Sequence, residues 1–177
     1  MKRTIIKFFA AQLVALALLL PFSASAANGP ENSIIDVAVK LNAPGGAAAG
    51  QFDTLLAALL VADPTVLEKL TGFGRHTVFA PTDDAFDAIG VDESNVGDLD
   101  QAVLTQILLY HVAQGRRTAD SVLASERIFM TFGGFLRQSG GVLTDNVDRP
   151  AMIIVTDQLA SNGVVHAIDA VVLPFAL

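Results

Sequence analysis

Apolar side chains at Phe52, Leu55, Leu56, Leu59 and Leu60 recur with the spacing of one helical stripe. The stretch before them, Asn32 to Asn42, reads as a shorter helix with Ile35 and Val39 on one side, broken by "APGGAAAG". Asp63 followed by Pro64 marks the start of another short helix, with Leu67 and Leu70 turned to the core. Then the pattern changes. Thr77 to Ala80 is β-branched and aromatic and predicts a strand that Pro81 ends. Thr82 can cap the next helix, whose first turn holds Asp83 and Asp84, where the helix dipole favours negative charge. Phe86 and Ile89 of that helix can pack inward. Asp98 or Asp100 caps a longer helix through Val112, with Val103, Leu104, Ile107, Leu108 and His111 on its inner face and Tyr110 beside that stripe.

Beyond Arg116 the helical period fades, with at most one more turn in "TADSVL". "RIFMTF", "FLRQS", "GVLTDN" and "MIIVTD" are short β-type runs cut by paired glycines at 133–134 and 140–141. "VVHAIDAVVL" is the strongest strand signal, apolar on both faces, which predicts a central strand. Asn162-Gly163 reads as a positive-φ turn that launches it. Alternation puts His166 with Val164, Ile168 and Val172, and Asp169 with Val165, Val171 and Leu173. His166 and Asp169 therefore point to opposite faces and form no dyad. Each needs a hydrogen-bond partner, so each is expected to fix register and tie loops to the sheet. The whole reads as one α+β domain, helices mainly in the N-terminal half and sheet late.

Composition adds a compartment. Lys2, Arg3 and Lys7 precede an apolar run from Phe8 to Phe22, and Ala24-Ser25-Ala26 offers a cleavage site. Residues 1–26 are thus expected to be a secretory signal peptide and 27–177 the mature domain. No later run is apolar enough to insert in a membrane after cleavage. The location expected is secreted or periplasmic. The net charge of −7 argues against nucleic acid as a partner. A mature domain of about 150 residues can build its core without disulfides, and the chain has no cysteine.

Catalytic constellations are hard to draw from these residues. Without cysteine there is no Cys-His pair, and "RQSGG" lacks the first glycine of a nucleophile elbow. "GGFLRQSGG" lacks the Lys-Ser/Thr of a phosphate loop, and Asp83 and Asp84 diverge as helix neighbours. His76, His111 and His166 have no metal-ligand spacing, yet a metal-dependent enzyme using His111 or His166 stays as an alternative. No cofactor is implied. A carrier with an apolar pocket between sheet and helices is another alternative. Tyr110 is the single tyrosine and there is no tryptophan, which weakens sugar stacking. Tyr110 and His111 are the candidate partner contacts, through an exposed ring and hydroxyl.

Three blocks resemble a known family. "TVFAPTDDAF" (Thr77 to Phe86) is similar to the first signature block of the fasciclin-like (FAS1) domain, "LLYHV" (Leu108 to Val112) to its Tyr-His block, and "SNGVVHAIDAVVLP" (Ser161 to Pro174) to its second signature block. They occur in family order and cover a core of about residues 33–174. Thr77, Pro81, Thr82, Asn162, Gly163, His166 and Asp169 fall in these blocks as structural motif residues. The resemblance implies a wedge-like β-sandwich with a cluster of helices. It also implies a non-enzymatic, secreted adhesion module that binds a cell-surface or matrix protein or a cell-envelope or matrix polysaccharide. Animal members with integrin-directed function carry an Asp-Ile type motif before the second block. Here that place reads Asp157-Gln158-Leu159, and no Asn-x-Ser/Thr sequon is present.

Overall fold

Six helices and seven strands make up the described part of the chain, residues 32–176 of a computed structural model. The expected signal peptide, residues 1–26, lies outside the described residues.

The helices come first: α1 (Ile34–Asn42), α2 (Asp53–Val61), α3 (Pro64–Thr71), α4 (Asp83–Asp87), α5 (Gln101–Tyr110) and the short α6 (Ala119–Leu123). Their starts follow the capping chemistry. Ser33 and Asp36 form a capping box on α1, Asp63 accepts from Thr65 N on α3, and Asp100 accepts from Ala102 and Val103 N on α5. Thr82 caps α4 through Ala85 N. Helix α2 is capped from a distance, because its own N-cap is Phe52. The Asp83 carboxylate accepts from Asp53 N at 3.2 Å and Thr54 N at 2.8 Å. Asp83 thus serves a second helix besides its own.

The strands are β1 (His76–Pro81), β2 (Val112–Gln114), β3 (Arg127–Phe129), β4 (Phe135–Ser139), β5 (Val142–Thr144), β6 (Pro150–Ala160) and β7 (Gly163–Ile168). They form one sheet in the order β2-β1-β7-β6-β5-β4-β3. Only β1 and β7 pair in parallel. The sheet folds over until its two edges meet: Ala113 bridges Met130, and Thr131 N donates to Val112 O at 2.7 Å. The expected sandwich is therefore a nearly closed sheet.

Closure creates two cores. The helices pack on one side of β1 and β7, with Phe52, Leu55, Leu104, Leu108, Val165 and Ala167 among the buried side chains. The other core fills the fold of the sheet with Phe79, Tyr110, Ile128, Leu136, Leu143 and Ile168. Alternating residues of β7 serve the two cores, as the apolar run on both faces predicts.

Several expectations change. β7 ends at Ile168, so Asp169 lies past the strand and is exposed rather than buried. Neither Asn162 nor Gly163 has positive φ. Glycine is needed at 163 for space, since a Cβ there would lie 2.2 Å from His76 O and 2.6 Å from Ile34 Cδ1. Leu60 is 80% exposed, outside the stripe assigned to it, and Val66 rather than Leu67 is the buried partner of Leu70. The α5 helix stops at Tyr110, and Val112 begins β2.

Candidate functional site

The residues of the three signature blocks converge on buried hydrogen bonds to the backbone. Thr77, fully buried, donates through Oγ1 to Gly115 O at 2.7 Å and accepts from Arg117 N at 2.8 Å. It fastens the loop after β2 to β1. Pro81 pairs with Ile168 at the end of β1, and Thr82 N donates to Ile168 O.

His166 lies in the sheet core, stacked on Phe79 with ring centroids 5.7 Å apart. Its Nε2–H donates to Arg117 O at 2.9 Å, and its Nδ1 lone pair accepts from Asp157 N at 3.2 Å. That assignment follows from the partners: a carbonyl takes a proton and an amide supplies one. Asp157 has φ of 56° and sits where the β6–β7 register shifts, a bulge. Its carboxylate accepts from Ala119 N at the start of α6. The position matching the integrin-type motif is therefore built into this bulge. His166→Ala leaves two backbone groups without partners and removes the ring stacked on Phe79. The expected loss is about 3 kcal/mol of unfolding free energy, measured by urea denaturation. An unchanged midpoint contradicts this role.

His111 shows the complementary arrangement. Its Nδ1–H donates to Ile107 O at 2.8 Å, and Nε2 accepts from Val172 N at 3.1 Å. Burial pushes its pKa down to about 4, against weaker opposite effects of the Ile107 carbonyl and Asp145. Next to it, buried Asp145 accepts from Val147 N, Arg149 N and, at 2.8 Å, Leu173 N. His111 and Asp145 thus hold consecutive amides of the C-terminal segment. Sequence reasoning missed Asp145, because it stands at the end of the short β-type run "GVLTDN" with no motif around it.

Tyr110 is fully buried, and its hydroxyl donates to Phe135 O at 2.9 Å. Burial first, then Asp145, raises its pKa to about 12. Surface display of Tyr110 and His111 as partner contacts is corrected: the last turn of α5 enters the second core, which consumes the ring. The metal alternative at His111 or His166 loses its footing for a related reason. In each ring one nitrogen faces a backbone carbonyl, and the lone pair of the other is already occupied by a backbone N–H. Among the described residues no three His, Cys, Asp or Glu side chains gather as ligands.

Asn162 is also buried. Its Oδ1 accepts from Ile34 N at 2.8 Å, and its Nδ2 donates to Leu70 O at 2.8 Å and Gly72 O at 2.9 Å. It caps the start of α1 and the end of α3 at once. Asp169 accepts from Met152 N at 2.7 Å and ties the end of β7 to β6.

An apolar cavity lies between α1, α2 and β1, lined by Ile34, Leu55, Leu59, Val78 and His111 among others. The centre of a water-sized sphere can occupy only about 20 Å³ of it, roughly one water. That cavity is too small for the carrier alternative, since ligand pockets run to several hundred Å³. The wider cleft between α1 and the end of β6 is open to solvent and lined by Lys40, Gln158 and Ser161 as well as apolar side chains.

The outward face of β3 to β6 carries large apolar side chains in the open. Phe129, Met152 and Ile154 are more than half exposed there.

The sequence matches the Fasciclin domain family over residues 50–174. It is 40% identical over 131 residues to protein sll1483 of Synechocystis sp., covering 70% of this chain and 67% of that protein. It is 33% identical over 125 residues to transforming growth factor-beta-induced protein ig-h3 of Sus scrofa, covering 70% of this chain but 18% of that one. Among solved structures, a FAS1 domain pair from the insect cell adhesion molecule fasciclin I superimposes with a TM-score of 0.55 at 21% identity, over 70% of this chain and 45% of that chain.

Proposed function

The chain belongs to the Fasciclin domain family, and on that premise we propose that it is an exported, non-enzymatic interaction module. Residues 1–26 act as the export signal, and residues 27–177 form the single domain that works outside the cytoplasm, in the periplasm or beyond the cell. Its task is adhesion: it holds a cell-surface or matrix protein, or an envelope polysaccharide, by surface recognition.

One observation carries this reading. Three side chains that could do chemistry, His111, His166 and Asp145, are engaged by backbone groups in the core, and the third histidine, His76, stands apart from them at the start of β1. The three engaged side chains maintain the scaffold and present nothing to a substrate. The kinship with a cell adhesion molecule's domains agrees with this. No helix among the described residues is long and apolar enough to cross a membrane.

The test is retention of the purified protein on intact cells and on envelope or matrix fractions at low salt. Saturable retention is expected. Its absence on every fraction contradicts the proposal.

A further inference from the structure

Resting on that reading, the next question is which surface binds and what it takes. Outward side chains on β3 to β6 follow from the register. Arg127 faces Arg137 and Phe129 faces Phe135 across β3 and β4, while Val142 faces Met152 across β5 and β6. Their alternates Ile128, Leu136, Leu143 and Ala151 are buried. The four strands span about 14 Å at the usual spacing.

Two features of this face are unfavourable in an isolated molecule. Phe129 is 63% and Met152 55% exposed on this face, and Ile154, two residues on from Met152 along β6, is 53% exposed. Arg127 and Arg137 stand directly opposite one another, where like charges repel. Arg137 is paired with Asp148, but Arg127 has only the Phe135 ring, 4.8 Å from its guanidinium carbon. Asp169 bounds the far side and is engaged by Met152 N. Phe129 and Phe135 meet edge to face at 6.3 Å.

The setting sharpens the charge argument. Residues 32–100 carry eleven acidic and three basic side chains, whereas residues 101–176 carry six acidic and five basic, all arginine. Aromatic, Met and Arg side chains without Lys are the composition of a protein-binding hot spot. Strand addition is blocked on this side, because Met130, next to β3, bridges Ala113. An anionic bilayer is disfavoured by the net charge of −7. A sugar would leave the exposed Phe129 and Met152 side chains without an apolar partner.

We propose that the outward face of β3 to β6, centred on Arg127 and Phe129, is the docking surface, and that its occupant is a protein segment pairing a carboxylate with apolar side chains. The carboxylate meets Arg127 and relieves the Arg127–Arg137 repulsion. The apolar side chains cover Phe129, Met152 and Ile154.

The probe is a phage library of random peptides selected on the full chain, with the selected peptides synthesised and titrated by fluorescence polarisation. Peptides joining Asp or Glu to large apolar residues are expected. Arg127→Glu and, separately, Phe129→Ser should weaken them about tenfold or more, with unchanged unfolding midpoints. Leu60→Ser, at an exposed apolar site on α2, should leave binding unchanged. Peptides without acidic residues, or bound equally by both face variants, overturn the proposal. So does a dimer in sedimentation that Arg127→Glu dissociates, since the face then belongs to a second copy. If wild type is retained on cells and Arg127→Glu is retained equally, this surface is wrong and the adhesion reading stands. If wild type is not retained at all, the adhesion reading itself fails.

Discussion

Replacing Asn162 with alanine should lower the unfolding free energy by about 4 kcal/mol, the largest effect expected of any side chain in the signature blocks. The change strips partners from two buried backbone groups, Ile34 N and Leu70 O, and from the half-buried Gly72 O. Each unsatisfied group costs about 1–3 kcal/mol, and a domain has only about 5–15 kcal/mol in total. Asn162→Asp discriminates further. It keeps the acceptor for Ile34 N but turns a second oxygen, and a charge, toward two carbonyls. It should destabilise at least as much as alanine at pH 7. Urea denaturation gives the magnitude, and amide exchange at Ile34 reports the local loss. A cost near zero for both variants would mean that Asn162 does not join α1 and α3.

Acidification should remove about 3 kcal/mol through His111 alone. The sign follows from proton uptake. The unfolded chain protonates this histidine near its ordinary pKa of 6.5, the folded chain only near 4. Between those values the unfolded state binds more protons, so stability is full above about pH 6.5 and falls as the pH drops toward 4. The structural consequence is specific: protonated Nε2 can no longer accept from Val172 N. His111→Gln keeps a donor and an acceptor on an uncharged group. It should cost about 1–2 kcal/mol at pH 7 and flatten the stability profile between pH 6.5 and 4. Urea midpoints across that range decide it, and parallel profiles for the two proteins would contradict the assignment.

Much of the fold was legible because its signals are local. Asp63, Thr82 and Asp100 announce their helices from the adjacent sequence, and Pro81 and the paired glycines punctuate the strands. What escaped depends on distant partners. β2 is three residues long and is a strand only because β1 and Met130 lie beside it. Leu60 falls on a helical stripe, but α2 meets the core over a narrower arc than that stripe spans. Tyr110 was placed at a helix edge on the premise of one core. The folded-over sheet supplies a second, and α5 reaches it with its last turn.

In the signature block after Ser161 the polar side chains bond to backbone groups, though not in the way their positions suggest. His166 and Asp169 are indeed no dyad, but Asp169 escapes burial because the strand ends first. Asn162 sits in the expected turn, without a positive φ, and is a double helix cap besides. Asp83 was assigned to its own helix alone and Asp145 to no role, and both hold backbone amides of distant segments. No period or motif encodes those contacts. The outward face of β3 to β6 was equally hidden, since exposure of Phe129 or Met152 depends on which face closure leaves outside.

The central claim is that the buried histidines are fixed parts of the scaffold and not reactive groups. Long-range proton–nitrogen NMR of both imidazoles at neutral pH, with and without zinc, tests it most directly. The expected spectrum shows His111 as the Nδ1–H tautomer and His166 as the Nε2–H tautomer, each single and unchanged by zinc. Averaged tautomers, or ring signals that move when zinc is added, would contradict it.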